Sequence, residues 1–196
     1  MPNLMKKYSL KTGFTLIELL VVIAIISVLS SIVLTQTNKA RAKVAVSSAK
    51  TQVRQLRNAI ALLALDTGKY PMGCVVSTTA VAGLNEIALN APCVGLTEAP
   101  VAGVCISQPL CSWTSADINN WHGPYIGKIP NDPWGNPYYF DTDFWPFRNC
   151  PTHPSYLPNG QGGLPVVIAI VSYGPNTITI PPPDLYDCDD IYEPVD

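Results

Sequence analysis

The feature that most constrains this chain is an apolar stretch at residues 16–34, interrupted only by three serines and one carboxylate, that of Glu18. An α-helix over this range extends ~29 Å, which matches the hydrocarbon thickness of a bilayer. An ionised carboxylate inside such a span costs roughly 2.5–3.5 kcal/mol on insertion scales. We therefore expect the stretch to cross a membrane, and we expect Glu18 to need a partner.

A short basic leader precedes the span. Residues 1–13 carry three lysines and no acid, so the positive-inside rule places them in the cytoplasm. The order Gly13, Phe14 and then Glu18 resembles the leader of type IV pilins and type II secretion pseudopilins. In those families a membrane peptidase cleaves after the glycine and methylates the new amine. The resemblance implies cleavage after Gly13, methylation of Phe14 and a role for Glu18 in assembly.

The chemistry of the cleaved end supports this interpretation. Cleavage would create a cationic amine on Phe14, four residues before Glu18, and in a staggered bundle the amine of one subunit can meet the carboxylate of the next. At 4 Å and an effective dielectric of 20, such a pair is worth roughly 4 kcal/mol before desolvation. Assembly would thus neutralise Glu18.

Two simpler interpretations stay open. A secretory signal peptide should have a shorter apolar core, no internal Glu and small residues just beyond it, and Ala40-Arg41-Ala42 fits that spacing poorly. A plain membrane anchor would have no use for Glu18, since unpaired carboxylates are rare within membranes.

One long helix is predicted after the leader. No Pro or Gly occurs between Phe14 and Leu65, so we expect a membrane-spanning part at residues 14–35 and an amphipathic part at residues 36–70. The second part carries an apolar stripe that should pack on a sheet: Val46, Ala49, Val53, Leu56, Ile60 and Leu63. Around it lie Lys39, Arg41, Lys43, Lys50, Arg54 and Arg57, which are either a solvated face or contacts to acidic neighbouring subunits.

Charge is divided unevenly along the 196 residues. Up to Lys69 there are ten Lys/Arg against two acids, and beyond it two Lys/Arg face twelve Asp/Glu. An acidic outer domain argues against general binding of nucleic acid. We expect a single exported domain at residues 71–196, on a helical stalk.

All six cysteines lie in this exported part, at Cys74, Cys93, Cys105, Cys111, Cys150 and Cys188. An even number in an exported domain indicates disulfides, and the absence of any Cys-x-x-Cys pair disfavours zinc. Six cysteines allow 15 pairings. As a working hypothesis we take Cys105–Cys111 as a local loop and Cys150–Cys188 as a clamp on the C-terminal segment.

The exported part begins with a Cys-rich connection at residues 71–120, with a possible short helix near residues 83–89. A loop this long in a compact domain is usually functional or separately stapled, and the cysteines favour stapling.

A β-region follows at residues 121–196. It opens with Gly-Pro-Tyr at residues 123–125 and Asp-Pro-Trp-Gly-Asn-Pro-Tyr at residues 132–138, where residues 132–135 suit a type I turn. This pair of motifs resembles the signature of major pseudopilins of type II secretion, in which the role is structural. Trp134 is expected in the core or at an interface.

Two strands are predicted after a Pro-rich loop. Residues 165–173 are apolar on both alternating faces, which indicates a central strand covered on both sides, by the long helix and by the stapled loop. Residues 177–180 are a candidate partner strand.

The acidic tail suggests a metal. Clustered oxygens suit calcium, and major pseudopilins hold it with a Ser-x-Gly-x-Asp-Gly-Gly loop and a later Asp-Ile. The resemblance implies a calcium site here, although Asn176 replaces the Asp and the paired glycines are missing. A solvated acidic tail is the alternative. The candidate ligands are Ser172, Asn176, Asp187, Asp189 and Asp190.

We find no catalytic motif, and we expect no enzyme. The resemblance implies an α+β, pilin-like structural subunit with a long helix on a small antiparallel sheet. Its implied partners are copies of itself, a prepilin peptidase and an inner-membrane assembly platform. It would span the inner membrane once before it joins a periplasmic or cell-surface filament, either a type IV pilus or a type II secretion pseudopilus. The alternative is a membrane-anchored exported binding module that never polymerises.

Overall fold

The structure, a computed structural model, describes residues 13–75, 87–103, 111–144, 146, 150, 167–175 and 188–195. Its first element is one continuous helix, α1, over Leu16–Thr67, which confirms the long helix predicted from the absence of Pro and Gly. The helix ends where a glycine permits a left-handed backbone: Gly68 has φ +68° and its N–H donates to Ala64 O at 2.9 Å.

The chain divides into two units, Met1–Lys43 and Val44–Asp196. In the first unit the described residues beyond Thr15 are helical, and the large apolar side chains between Leu16 and Val33 are 45–82% exposed. By length and composition, α1 is the one described helix that could cross a membrane. The predicted span is therefore present as a helix with an open apolar surface.

The second unit contains a four-stranded antiparallel sheet. After a small hairpin of β1 (Lys69–Tyr70) and β2 (Cys74–Val75), the sheet is built in chain order from four strands: β3 (Ile87–Ala88), β4 (Tyr139–Phe144), β5 (Val167–Ser172) and β6 (Ile191–Pro194). β5 pairs with β4 and β6, for example Ile170 with Phe140 and with Glu193. The predicted central strand is confirmed over Val167–Ser172. The candidate strand at residues 177–180 lies outside the described residues.

The core forms between the second half of α1 and the sheet. Five members of the predicted stripe are at most 1% exposed (Ala49, Val53, Leu56, Ile60 and Leu63), and they share one cluster with Phe140 and Ile170. The opposite face of β5 belongs to a separate cluster in which Phe144 and Tyr173 pack with Ala169 and Val171. The α+β, pilin-like architecture is thus confirmed, with the helix covering one face of the sheet.

The Cys-rich connection packs differently from the prediction. Its buried residues in the described ranges, among them Leu96, Cys111 and Trp113, join the cluster of α1, and none of them belongs to the cluster on the other face of β5. The helix expected near residues 83–89 is wrong at its described end, because Ile87–Ala88 is a strand paired with β4. A five-residue helix, α2 (Ser115–Asn119), occurs instead and begins with a capping box formed by Thr114 and Asp117.

The cysteine pairing is partly as predicted. Cys150–Cys188 is present, but Cys111 bonds to Cys74, so the local pair Cys105–Cys111 is wrong. Tertiary packing decides this: Cys74 and Cys111 face each other in an isolated β-bridge, and Ser112 N–H donates to Gly73 O at 3.1 Å. A Cβ on Gly73, whose φ is +76°, would lie 2.5 Å from the backbone of Ser112, so only glycine permits this approach. Cys93 is also disulfide-bonded, and Cys105 lies outside the described residues.

Removing the Cys74–Cys111 bond should destabilise the second unit strongly. The bond joins residues 37 apart, and closing a loop of that size removes entropy from the unfolded chain worth about 4 kcal/mol. We expect the Cys74→Ser/Cys111→Ser double variant to lose about that much free energy of unfolding, measured by urea denaturation of the detergent-solubilised protein. Thr51→Ser, on the exposed side of α1, serves as a neutral control. A loss below about 1 kcal/mol would contradict a structural role for this bond.

Candidate functional site

The first turn of α1 contains a capping box between Thr15 and Glu18. Glu18 Oε2 accepts hydrogen bonds from the backbone N–H of Thr15 at 2.8 Å and from its hydroxyl at 2.7 Å, and Glu18 N–H donates to Thr15 Oγ1 at 3.3 Å. Thr15 therefore satisfies donors at the start of the helix and holds the Glu18 side chain in place. The role of Thr15 was not predicted, although the pattern Thr-x-x-Glu is the sequence signal of a capping box.

The arrangement leaves one carboxylate oxygen available. Both side-chain bonds of Glu18 go to Oε2, and the described residues make no bond to Oε1. Phe14 lies one residue before the cap and is 87% exposed. Glu18 can thus keep its capping role and still accept a cation from another molecule.

The three serine hydroxyls of the predicted span bond within the helix. Ser27 Oγ donates to Ile23 O at 2.7 Å, and Ser30 Oγ donates to Ile26 O at 2.7 Å. Such bonds remove the cost of placing hydroxyls in an apolar environment. Glu18 is then the one ionisable side chain of the span, which concentrates any requirement for a polar partner there.

A second constellation lies in the signature turn, residues 131–136. Asp132 is 4% exposed. Its Oδ1 accepts the N–H groups of Trp134 and Asn136 at 3.0 and 2.8 Å, and Gly135 N–H donates to Asp132 O at 3.0 Å. The turn predicted from Asp-Pro-Trp-Gly is confirmed. Trp134 is partly buried against the core cluster.

The same carboxylate ties the turn to the central strand. Asp132 Oδ2 accepts the hydroxyl of Ser172 at 2.7 Å, and Ser172 Oγ in turn accepts the N–H of Gly174 at 3.3 Å. Ser172 is completely buried at the end of β5. Its described partners give it a structural role, which the sequence did not predict.

Three of the five candidate calcium ligands are described: Ser172, Asp189 and Asp190. Asp189 lies directly against the strand end, since a Cβ on Gly174 would be 2.7 Å from Asp189 Oδ2. Asn176 and Asp187 lie outside the described residues. Among the described residues no group of three or more His, Cys, Asp and Glu side chains is close enough to hold a metal ion. Among the described candidates, the structure therefore brings Asp189 next to Gly174, two residues after Ser172.

Two tyrosines bond to α1 from the β-region. The hydroxyl of Tyr125 donates to Asp66 Oδ2 at 2.8 Å, and that of Tyr138 donates to Gln52 Oε1. Burial raises the pKa of both hydroxyls above the ordinary value for tyrosine. Both groups are thus protonated donors at neutral pH, and they fasten the signature region to the helix.

Comparisons with known proteins agree with this geometry. A family model for the prokaryotic N-terminal methylation motif matches residues 9–34, and one for type II secretion system protein G matches residues 107–143. The chain is 30% identical over 137 residues to type II secretion system core protein G of Vibrio cholerae, a match that covers 69% of this chain and 74% of that protein. The chain belongs to the family of type II secretion system core protein G.

Other relatives support the same family. The core protein G of Aeromonas hydrophila is 32% identical over 128 residues, which cover 65% of this chain and 71% of the relative. A type IV major fimbrial protein of Dichelobacter nodosus is 41% identical, but over only 36% of this chain and 45% of its own length. No solved structure shows significant similarity to the chain. The protein G family thus accounts for more of the sequence than the fimbrial relative does.

Proposed function

We propose that this chain is a structural subunit of a type II secretion pseudopilus, cleaved after Gly13, methylated on the amine of Phe14 and polymerised through α1. The observation that carries the proposal is the first part of α1, where a continuous apolar surface, 45–82% exposed, follows a cap that holds Glu18. Such a surface needs lipid before assembly and neighbouring helices afterwards. The membrane supplies the lipid, and a filament supplies the neighbouring helices.

The relatives favour a pseudopilus over a type IV pilus. The match to proteins named as type II secretion core protein G extends over 69% of this chain, against 36% for the fimbrial protein. The partners would be further copies of the chain, a prepilin peptidase and the inner-membrane platform of the secretion machinery. The role is structural, with no catalytic step assigned to the chain. Residues after the span would be exported, where the disulfides can form.

Intact-protein mass spectrometry tests the processing. Sheared surface material and membranes are prepared in parallel, and we expect a chain that begins at methylated Phe14 and is confined to membranes, as for a pseudopilin. The same species in the sheared fraction would make this a surface pilus subunit. A chain that starts near Met1, or near Ala42, would contradict cleavage after Gly13 and with it the proposed assembly.

We propose also that calcium binds at the end of β5, with Asp189 and Asp190 among its ligands. Support comes from the contact of Asp189 with Gly174 and from the preference of calcium for several oxygens. We expect calcium at 100 times its Kd to raise the Tm of the detergent-solubilised protein by about 5–10 °C over chelator. Magnesium at the same concentration is the control, because it demands a near-octahedral site. An unchanged Tm would remove calcium from the proposal.

A further inference from the structure

A row of basic side chains follows one face of α1. Lys39, Lys43 and Lys50 are separated by four and seven residues, so they fall on the same side of an α-helix. Arg54 and Arg57 continue the row at intervals of four and three. We call these five residues the basic ridge. Arg41, two residues from both Lys39 and Lys43, points to the opposite side of the helix.

The two halves of the basic ridge differ in their partners. Arg54 lies 3.7 Å from Glu193, and Arg57 donates to Pro194 O at 2.7 Å, so β6 covers this half within the subunit. The side chains of Lys39, Lys43 and Lys50 are exposed and make no ion pair with any residue that the structure describes. The half nearer the span therefore has cations without carboxylates.

The C-terminal unit has the complementary charge. Beyond Lys69 the sequence carries twelve acids and two basic residues. Most acids that the structure describes there already have partners, such as Asp117 with Lys69 and Glu193 with Arg54. Glu98 is different: it is exposed, and it makes no hydrogen bond or ion pair within the described ranges.

We propose that Lys39, Lys43 and Lys50 dock on the acidic C-terminal unit of a second copy of this chain, with Glu98 as one of the carboxylates they meet. The proposal rests on the filament proposed above and names the contact that would register its subunits outside the membrane. Exposed ion pairs are individually weak, but a repeated row of complementary charges fixes orientation and register.

The contact requires two copies to be displaced along the helix axis. Gly95, three residues before Glu98, packs near Leu63, since a Cβ there would be 3.6 Å from Leu63 Cδ1. Lys50 precedes Leu63 by 13 residues, or ~20 Å of helix. A stagger of two parallel copies along the helix axis would bring a carboxylate near the end of α1 in one copy level with the basic ridge of another.

Charge reversal on the full-length chain in its native membrane tests the contact. We expect Lys43→Glu to lower the assembled fraction about fivefold at low salt, whereas Arg41→Glu, with the same charge change on the opposite side of the helix, leaves it near the wild-type level. Glu98→Lys should reduce assembly similarly. Combining Lys43→Glu with Glu98→Lys should recover at least half of the lost assembly, because the swapped charges attract each other again.

The alternatives give different results. If Lys43→Glu and Arg41→Glu both weaken binding to vesicles containing anionic phosphatidylglycerol, and weaken assembly equally, the row serves the membrane and the proposal is overturned. Equal assembly of Lys43→Glu and wild type also overturns it, while the filament itself stands. If the wild-type chain, correctly processed, forms no polymer, the filament is wrong and this contact fails with it.

Discussion

Glu18→Gln should abolish assembly and leave processing intact. The side chain of Gln keeps an acceptor oxygen of the same reach, so the bonds from the N–H and hydroxyl of Thr15, now at 2.8 and 2.7 Å, can persist. What is lost is the negative charge. In the proposed filament that charge neutralises the methylated amine of Phe14 of a neighbouring subunit.

The expected effect is large because, in the proposed filament, both members of the pair would lie in an apolar environment. At an effective dielectric of 20 and 4 Å the attraction is worth roughly 4 kcal/mol, against a cost of roughly 2.5–3.5 kcal/mol for a carboxylate in the span. Removing one partner also leaves the amine buried and uncompensated, a change that costs about 3–5 kcal/mol in proteins. We therefore expect at least a ~100-fold fall in polymer, measured by sedimentation of filaments extracted from the membranes in mild detergent.

Thr15→Ala separates the cap from the charge. It removes the hydroxyl that binds Glu18 and should cost only about 0.5–2 kcal/mol of helix stability, while the charge stays in place. Polymer should then remain readily detectable. Mass spectrometry should find methylated Phe14 in the wild-type protein and in both variants, Glu18→Gln and Thr15→Ala. Normal assembly of Glu18→Gln would contradict a charge-pairing role, and loss in Thr15→Ala alone would assign the effect to the cap.

The elements that depend only on residues close together in the sequence could be predicted from the sequence. The stripe from Ala49 to Leu63 has helical period, and those residues form the core as predicted. The turn at Asp132 follows from Asp, Pro and Gly at fixed offsets, and β5 follows from its two apolar faces. These features depend on neighbours within a few residues, so the sequence contains the information directly.

Non-local partners were not predictable in the same way. Cys111 bonds to Cys74 rather than Cys105 because a β-bridge aligns Cys74 with Cys111 and Gly73 permits close approach to Ser112. Buried Trp113 shares a core cluster with Leu63 of α1, and its indole N–H donates to Cys93 O at 2.8 Å within the connection. Neither spacing nor composition encodes which distant segments meet.

The candidate sites show the same division. Glu18 could be singled out from the sequence because a charge within an apolar span demands a partner wherever the chain folds, whereas Gly13 and Phe14 follow from the resemblance of the leader to those of pilins and pseudopilins. The proposed calcium ligands depend on how β5 and the tail converge. Ser172, selected as a ligand from the sequence, donates its hydroxyl to Asp132, a residue 40 positions earlier, and the calcium site stays a prediction.

Asp132→Ala should be among the most destabilising single substitutions in the C-terminal unit. The carboxylate is buried and accepts three hydrogen bonds, from Trp134 N–H, Asn136 N–H and the Ser172 hydroxyl. Alanine leaves all three donors without this acceptor. Bonds to a charged acceptor contribute about 1.5–3 kcal/mol each, and unsatisfied buried donors add a penalty, so we expect a loss of about 3–5 kcal/mol in urea unfolding.

Two milder variants assign the loss to the carboxylate rather than to the turn. Ser172→Ala leaves the turn intact but removes the hydroxyl that donates to Oδ2 and accepts the N–H of Gly174, and it should cost about 1–3 kcal/mol. Asp132→Asn retains the Oδ1 acceptor for the two turn N–H groups while its amide can donate to Ser172 Oγ, so it should lose less than Asp132→Ala. Because the two residues touch, the double variant should cost less than the sum of the single variants. Additive losses would mean that the turn and the end of β5 are stabilised separately, and that the signature turn does not position the loop that carries Gly174 and Asp189.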